Sequence, residues 1–257
     1  MSAKLIDHRP AYDLIARCFL IFIGGIAAWW GIVGFSIFWQ QFSTERIASR
    51  VIAGEPFKSA TLARQLPNIE SIEKVAYCRP SALRSAAIIR LRMVEVAAST
   101  NDNKYSGEDL KSLDDVIRNS LACSPADPFL WLVLYWIETK QNQFKPEYMR
   151  MSYDLGPNEG WVGLKRDPVA FADYEKLPSD LATEAINEFL ALINNESYQS
   201  AVDILSGPAW RLRDTLLPRL ESLPLLKRKR FARVANDKSL SLTIPGVEPP
   251  DSKRPWQ

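Results

Sequence analysis

The run CFLIFIGGIAAWWGIVGFSIFW at 18–39 holds no charged side chain. It constrains the fold more than any other stretch. As a helix its roughly 22 residues rise about 33 Å, against a bilayer core about 30 Å thick. A secretory leader has an apolar core of about 7–15 residues and a small-x-small cleavage site. This run is longer, and QQFSTERIASR after it offers no such site. The sequence therefore predicts an uncleaved single-pass transmembrane anchor over 18–39. Trp39 falls at a boundary, where interfacial aromatics belong, while Trp29 and Trp30 fall mid-span. Gly24, Ala27, Ala28 and Gly31 recur at helical spacing and form a small-residue stripe suited to close packing of a second helix.

The flanking charges do not orient this anchor. Lys4, Arg9 and Arg17 precede it, and Arg46, Arg50 and Lys58 follow. The cysteines say more. The segment 81–99 reads as a helix, with no glycine or proline inside and Pro80 at its start. TNDNKYSG reads as a turn-rich loop. The segment 108–122 reads as the next helix, with Ser106 as N-cap and a stripe of Leu110, Leu113, Val116 or Ile117, and Leu121. A short loop makes such helices antiparallel neighbours. The first rises about 28 Å and the second returns about 23 Å. Cys78 and Cys123 then meet within the ~4.4–6.8 Å Cα spacing of a disulfide. A bridge would close a loop of roughly 44 residues and contribute about 4 kcal/mol on the entropic model. It requires an oxidising compartment. The alternative is two buried thiols packing as small hydrophobes. Cys18, at the membrane edge, reads as an ordinary apolar residue. With the bridge, the expectation is a cell inner-membrane protein with a cytoplasmic N-terminus and a periplasmic C-terminal domain.

The rest of the chain is punctuated by proline, seventeen against eleven glycines. FSTERIASRVIAG continues the anchor as a stalk ending at Gly54 and Pro56, followed by two short helices parted by Pro67. Asp127 and Pro128 open a helix that is apolar on every face over 129–137, hence central and buried. A return helix over 148–155 closes at Gly156. Asp167 and Pro168 open another, running to Lys176. Ser179 caps 180–194, whose buried face is Leu181, Ala185, Phe189 and Leu192 or Ile193. Ser197 caps a short helix to Leu205, and 208–216 and 224–234 complete the set. The fold class is all-α: one transmembrane helix, then an antiparallel helical-hairpin domain. The expected organisation is a cytoplasmic segment 1–17, the anchor 18–39, stalk and linking helices 40–78, a soluble helical domain 79–237 and an extended proline-rich tail 238–257.

LDDVIRNSLACSPADPFLWLVLY resembles the junction of two tetratricopeptide repeats: a second helix, a small residue, a proline, then a first helix with an aromatic. MRMSYDLGPNEGW repeats the cadence, with Pro125 and Pro157 about 32 residues apart against a repeat of about 34. The small residue expected eight positions after the aromatic is missing. The resemblance covers 108–161 and implies a degenerate helical-repeat, or α-solenoid, scaffold that binds protein partners on a concave surface. The chain also resembles small membrane-anchored helical proteins of bacterial envelope polysaccharide systems.

Motifs for chemistry are scarce. The single histidine, His8, precedes the anchor, which excludes a histidine-based metal site or a Ser–His–Asp arrangement in the domain. GPNEGWVG lacks the lysine and the preceding strand of a phosphate loop. Neither a catalytic residue nor a cofactor is expected. The Glu196–Ser197 pair of NESYQS resembles that of helical peptidoglycan-cleaving enzymes, without their glycine-rich partner motif. Arg84, Arg90 and Arg92 sit on an otherwise apolar helix, where a half-buried arginine calls for a carboxylate partner. Lys227, Arg228, Lys229 and Arg230 could contact an acidic lipid or glycan, or form a solvated helix face. A net charge of +2 gives no global attraction to nucleic acid. The expectation is a membrane-anchored scaffold for protein partners. The alternatives are a carboxylate-dependent enzyme acting on envelope glycan, and an accessory subunit held in a complex by its transmembrane helix.

Overall fold

The computed structural model describes residues 9–74, 78–100 and 106–248, with side chains at 9–15, 36–40 and 100 left aside. Lys4 and His8, residues 101–105 of the expected loop, the Trp39 side chain and the tail beyond Glu248 lie outside the described residues. Among those described, every regular element is helical and there is no strand. The chain divides into two compact units, Met1–Cys123 and Ser124–Gln257.

Unit 1 starts with α1 (Arg9–Ile52), an unbroken helix of 44 residues. Its segment Ala16–Phe35 has mean hydropathy 2.1 and buries none of its residues. Further along the same helix Thr44 and Ala48 are 0% and 2% exposed. Four residues apart, they share one face, and that face packs on α4 (Pro80–Thr100). No glycine or proline interrupts 35–52, so the apolar stretch and the docked stretch form one helix. The helix ends before Gly54, whose φ of +81° is the left-handed conformation common just past helix ends. Two short helices follow, α2 (Ser59–Ala63) and α3 (Leu66–Glu73). Pro67 lies in the first turn of α3, where its missing N–H costs nothing.

The centre of unit 1 is α4, against which α1, α2, α3 and α5 (Gly107–Cys123) all pack. Ala82, Ala86 and Ala87 are buried beside Ile88 and Ile89. Their short side chains leave room for neighbours on several sides. The stripe expected on α5 is buried throughout, including both Val116 and Ile117.

Unit 2 is built from α6 (Pro128–Lys140), α7 (Pro146–Leu155), α8 (Gly160–Ala172), α9 (Ser179–Asn194), α10 (Tyr198–Ser206), α11 (Arg213–Arg219) and α12 (Leu225–Asp237), with 3₁₀ turns at Tyr174–Lys176, Trp210–Leu212 and Leu220–Ser222. The Asp127 carboxylate accepts from the backbone N–H of Phe129 at 3.0 Å and of Leu130 at 3.2 Å. It thus satisfies two of the helix's orphan donors. Phe171 meets Phe189 edge-on at 5.9 Å, and Phe189 meets Phe231 likewise at 6.4 Å. That stack ties α8, α9 and α12 together.

Two expectations are corrected here. The helix expected to open at Asp167 begins instead at Gly160 and runs through Pro168. The ring leaves the Leu164 carbonyl without its helical donor, and burial of Val162, Ala170 and Phe171 against the neighbouring helices holds the helix regardless. Ser179 is the first residue of α9 rather than its cap. Ser197 does stand at the cap of α10, as expected, without a side-chain bond. The described part of the tail, 238–248, packs on the helices of unit 2. Ile244 is 3% exposed, and the Arg228 Nη1 donates to the Pro245 carbonyl at 2.5 Å.

Candidate functional site

The most concentrated polar chemistry lies at the centre of unit 2. Arg166, midway along α8, is fully buried. It donates from Nε and Nη2 to the two carboxylate oxygens of Glu188 on α9, at 2.9 and 2.5 Å. Nη1 donates to the carbonyl and hydroxyl of Ser152 on α7, at 2.5 and 3.0 Å. Nη2 also donates to the Gly156 carbonyl at 3.0 Å. The guanidinium stacks on the Tyr153 ring, 4.0 Å from its centroid. One side chain thereby ties α7, the α7–α8 turn and α9 to α8, with every nitrogen of its fork engaged.

Two glycines make the geometry feasible. A Cβ on Gly163 would fall 2.8 Å from the Glu188 Oε1, so the missing side chain is the space the carboxylate occupies. A Cβ on Gly156 would fall 2.7 Å from two carbons of the Pro128 ring. The start of α6 therefore fits directly against the turn whose carbonyl receives Arg166.

Next to Arg166 in sequence, Asp167 is also fully buried, and neither of its oxygens has a hydrogen-bond partner. Burial first, then the nearby Glu188 carboxylate, hold its pKa well above the ordinary carboxylate range, against the pull of Arg166. Burial also works against the Arg166 charge, but bonding to Glu188 outweighs it and raises that pKa. Burial and the same carboxylates push the Tyr153 phenol up. The network is charged, its arginine is fully buried, and its bonding is that of an internal brace.

Two hollows in unit 2 do open to solvent. A groove of about 510 Å³ runs between α11 and the packed tail, past Trp210, Arg213, Asp214, Thr243 and Pro245. It offers one carboxylate. A smaller hollow of about 220 Å³ contains Asp173, Glu175 and Arg211. Its Asp173 accepts from the Tyr135 hydroxyl at 3.1 Å and from Lys176 at 3.2 Å. Neither arrangement places two unengaged carboxyls across a gap, as hydrolysis of a glycosidic bond requires. Among the described residues no cluster of three or more metal-ligating side chains occurs.

The residues singled out in the sequence are dispersed. Cys78 and Cys123 stand at disulfide distance, Cα to Cα 5.5 Å, at the ends of α4 and α5. Gly24, Ala27, Ala28 and Gly31 lie on the bare part of α1, and a Cβ on either glycine would meet nothing within 4 Å. Arg90 has the carboxylate it calls for, Glu73, at 2.7 and 2.9 Å, and Arg92 pairs with Glu95 at 2.9 Å. Glu196 is engaged rather than poised for chemistry. Lys227 bonds it at 2.5 Å, Arg230 approaches at 3.4 Å, and Lys227 holds its pKa below the usual range. Three members of the basic run, Lys227, Arg228 and Arg230, thus have partners inside unit 2. The Arg166 network was missed from sequence. Its only signal is an Arg-Asp pair three residues after a glycine in a helix, which has no periodicity to read. No family model matches the chain, nor does any curated protein or solved structure.

Proposed function

We propose that this chain is a single-pass membrane-anchored helical scaffold, whose helical units bind protein partners on the oxidising side of the membrane. The observation that carries the reading is α1. Its apolar part presents Phe19, Ile21, Trp29 and Trp30 to the surroundings at 61–74% exposure, with none of that stretch buried among the described residues. An uncovered helical surface of this length and hydropathy suits lipid. Its second half docks on α4, so the anchor enters unit 1 as a rigid rod rather than a flexible tether.

The cysteines support the side of the membrane. Gln41 donates to the Ser81 hydroxyl at 2.9 Å, which sets the start of α4, and with it Cys78, beside the end of the apolar stretch. A disulfide there belongs to a periplasm or an equivalent lumen. The scaffold part rests on the cadence of unit 2. Pro125 precedes the first residue of α6 by three positions (128 − 125), and Pro157 precedes that of α8 by the same interval (160 − 157). We read α6–α7 and α8–α9, whose helices pack on each other, as two hairpins of the tetratricopeptide kind.

The experiment has two arms. Membrane-impermeant thiol reagent applied to intact cells, with and without reductant, should label Cys78 and Cys123 only after reduction. No labelling even after reduction would remove the oxidising-side assignment, and labelling of both without reductant would remove the disulfide. Photo-crosslinkers placed on unit 2 in native membranes should capture discrete protein partners; adducts to lipid alone would count against a scaffold.

A further inference from the structure

Asp167 presents an imbalance that the brace around Arg166 does not resolve. Both of its oxygens are sealed from solvent and neither meets a donor. The group it faces is the Glu188 carboxylate, which lies over Gly163, one turn before Asp167 on the same face of α8, and whose oxygens already receive Arg166. Two ionised carboxylates beside one guanidinium would leave a net negative charge in a closed site, and two acceptors would face each other with no hydrogen between them. Protonating one carboxyl removes both problems, since a neutral acid supplies the missing donor. Carboxyl pairs in contact commonly divide their protons this way.

We propose that Asp167 and Glu188 share one proton, carried on Asp167 and donated to Glu188, and that this proton makes the packing of α8 on α9 sensitive to pH. The pair is neutralised as a unit: the proton on Asp167, the Arg166 charge on Glu188. The groups facing Asp167 are Arg166 on its own helix, Glu188 on α9 and the Tyr153 phenol on α7. Glu184 of α9 acts on that phenol. α6 and α10 also pack on α8, and among the described residues no charged group on either acts on the carboxyl.

The sign follows from the direction of the shift. Below the ordinary carboxylate range Asp167 is protonated whether the chain is folded or not, and its burial costs no ionisation. Above that range an unfolded Asp ionises freely, while the folded one keeps its proton. Stability therefore falls as pH rises, until the folded carboxyl itself ionises, and is flat beyond. Asp180 and Glu196, held low by Arg150 and Lys227, act with the opposite sign. Both remain in an Asp167→Asn variant, so they cancel in a comparison with it.

The test uses the full chain in lipid nanodiscs. With 13C-labelled aspartate, infrared spectra at about pH 7 should show the stretch of a protonated Asp carboxyl, lost in Asp167→Asn. Asparagine keeps the donor to Glu188 without a titratable proton. The wild-type melting temperature should fall by roughly 4 °C or more between about pH 5 and pH 8 relative to that variant. No protonated aspartate near neutrality, a signal that persists in Asp167→Asn, or parallel melting profiles would each overturn the proposal. If the variant does not fold, the labelled wild-type spectrum and its titration decide alone.

Discussion

In unit 1 the central helix is held by short side chains, a cysteine pair at its end and an ion pair that water still reaches. In unit 2 the centre is an aromatic stack beside an ion network whose arginine water does not reach. The two arginines sharpen the contrast. Arg90 and Glu73 form a two-pronged pair at 16% and 20% side-chain exposure, whereas the Arg166 side chain is at 0% and Glu188 at 12%. A partly solvated pair can lose a member and rehydrate what remains. A sealed one cannot, because the stranded partner keeps its charge in a poor solvent. Similar hydrogen bonds thus carry very different consequences, and depth decides.

The largest expected effect tests this directly. Arg166→Ala should destabilise unit 2 by about 3–5 kcal/mol, and Arg90→Ala should cost unit 1 about 1 kcal/mol or less. Denaturant unfolding read by hydrogen exchange in α9 and in α4 separates the two. Equal losses would end the comparison. A triple replacement, Arg166→Met with Asp167→Asn and Glu188→Leu, should recover most of the loss, because the neutral substitutes strand no charge.

Next comes the cysteine pair, the counterpart of that network in unit 1. Reduction, or Cys78→Ala, should cost about 2–4 kcal/mol and raise hydrogen exchange in α4 and α5. Exchange in α9 is the internal reference. An unchanged α4 would mean that its packing on α1, α2 and α3 is sufficient without a bond.

A smaller effect is expected at Gly156. Its Cβ would overlap the rigid Pro128 ring at 2.7 Å, so Gly156→Ala should cost about 1–3 kcal/mol. Gly24→Ala, where a Cβ meets nothing, should leave the melting temperature unchanged. The pair of substitutions separates glycine required by packing from glycine tolerated on a bare surface.

Legibility in the sequence follows the same divide. Unit 1 can be read from local rules. Helix length fixes where α4 and α5 end, and so places Cys78 near Cys123; the stripe Leu110, Leu113, Leu121 has the period of one helical face. Arg90 calls for a carboxylate, and Glu73 is there. The centre of unit 2 depends on contacts between residues distant in the chain, which leave no period. Asp167–Pro168 has the local signature of a helix start, yet the helix runs through it, held by burial of Val162, Ala170 and Phe171 and by the bonds of Arg166 to Ser152, Gly156 and Glu188. Ile244 is one of four apolar residues, with Leu240, Leu242 and Val247, in a proline-rich string, and nothing local marks it as the one that is buried. The apolar run of α1 was legible because its composition alone states what it cannot face.

Asp127 gives the smallest expected effect, and it crosses the divide. It is a local feature, readable from the sequence, that sits in unit 2. Its carboxylate accepts from two N–H groups at the start of α6, and Asp127→Ala should cost about 1 kcal/mol, as loss of a cap does. Asp127→Asn should recover most of it, since the amide oxygen still accepts, with the remainder reflecting lost charge at the positive end of the helix. The cap also fixes where α6 begins, and Pro128 there is the ring that Gly156 must clear. If the buried network depends on that register, Asp127→Ala should cost more than a cap is worth and should couple to Gly156→Ala in a double-mutant cycle. Additive losses would show that the local cap and the buried brace stabilise unit 2 independently.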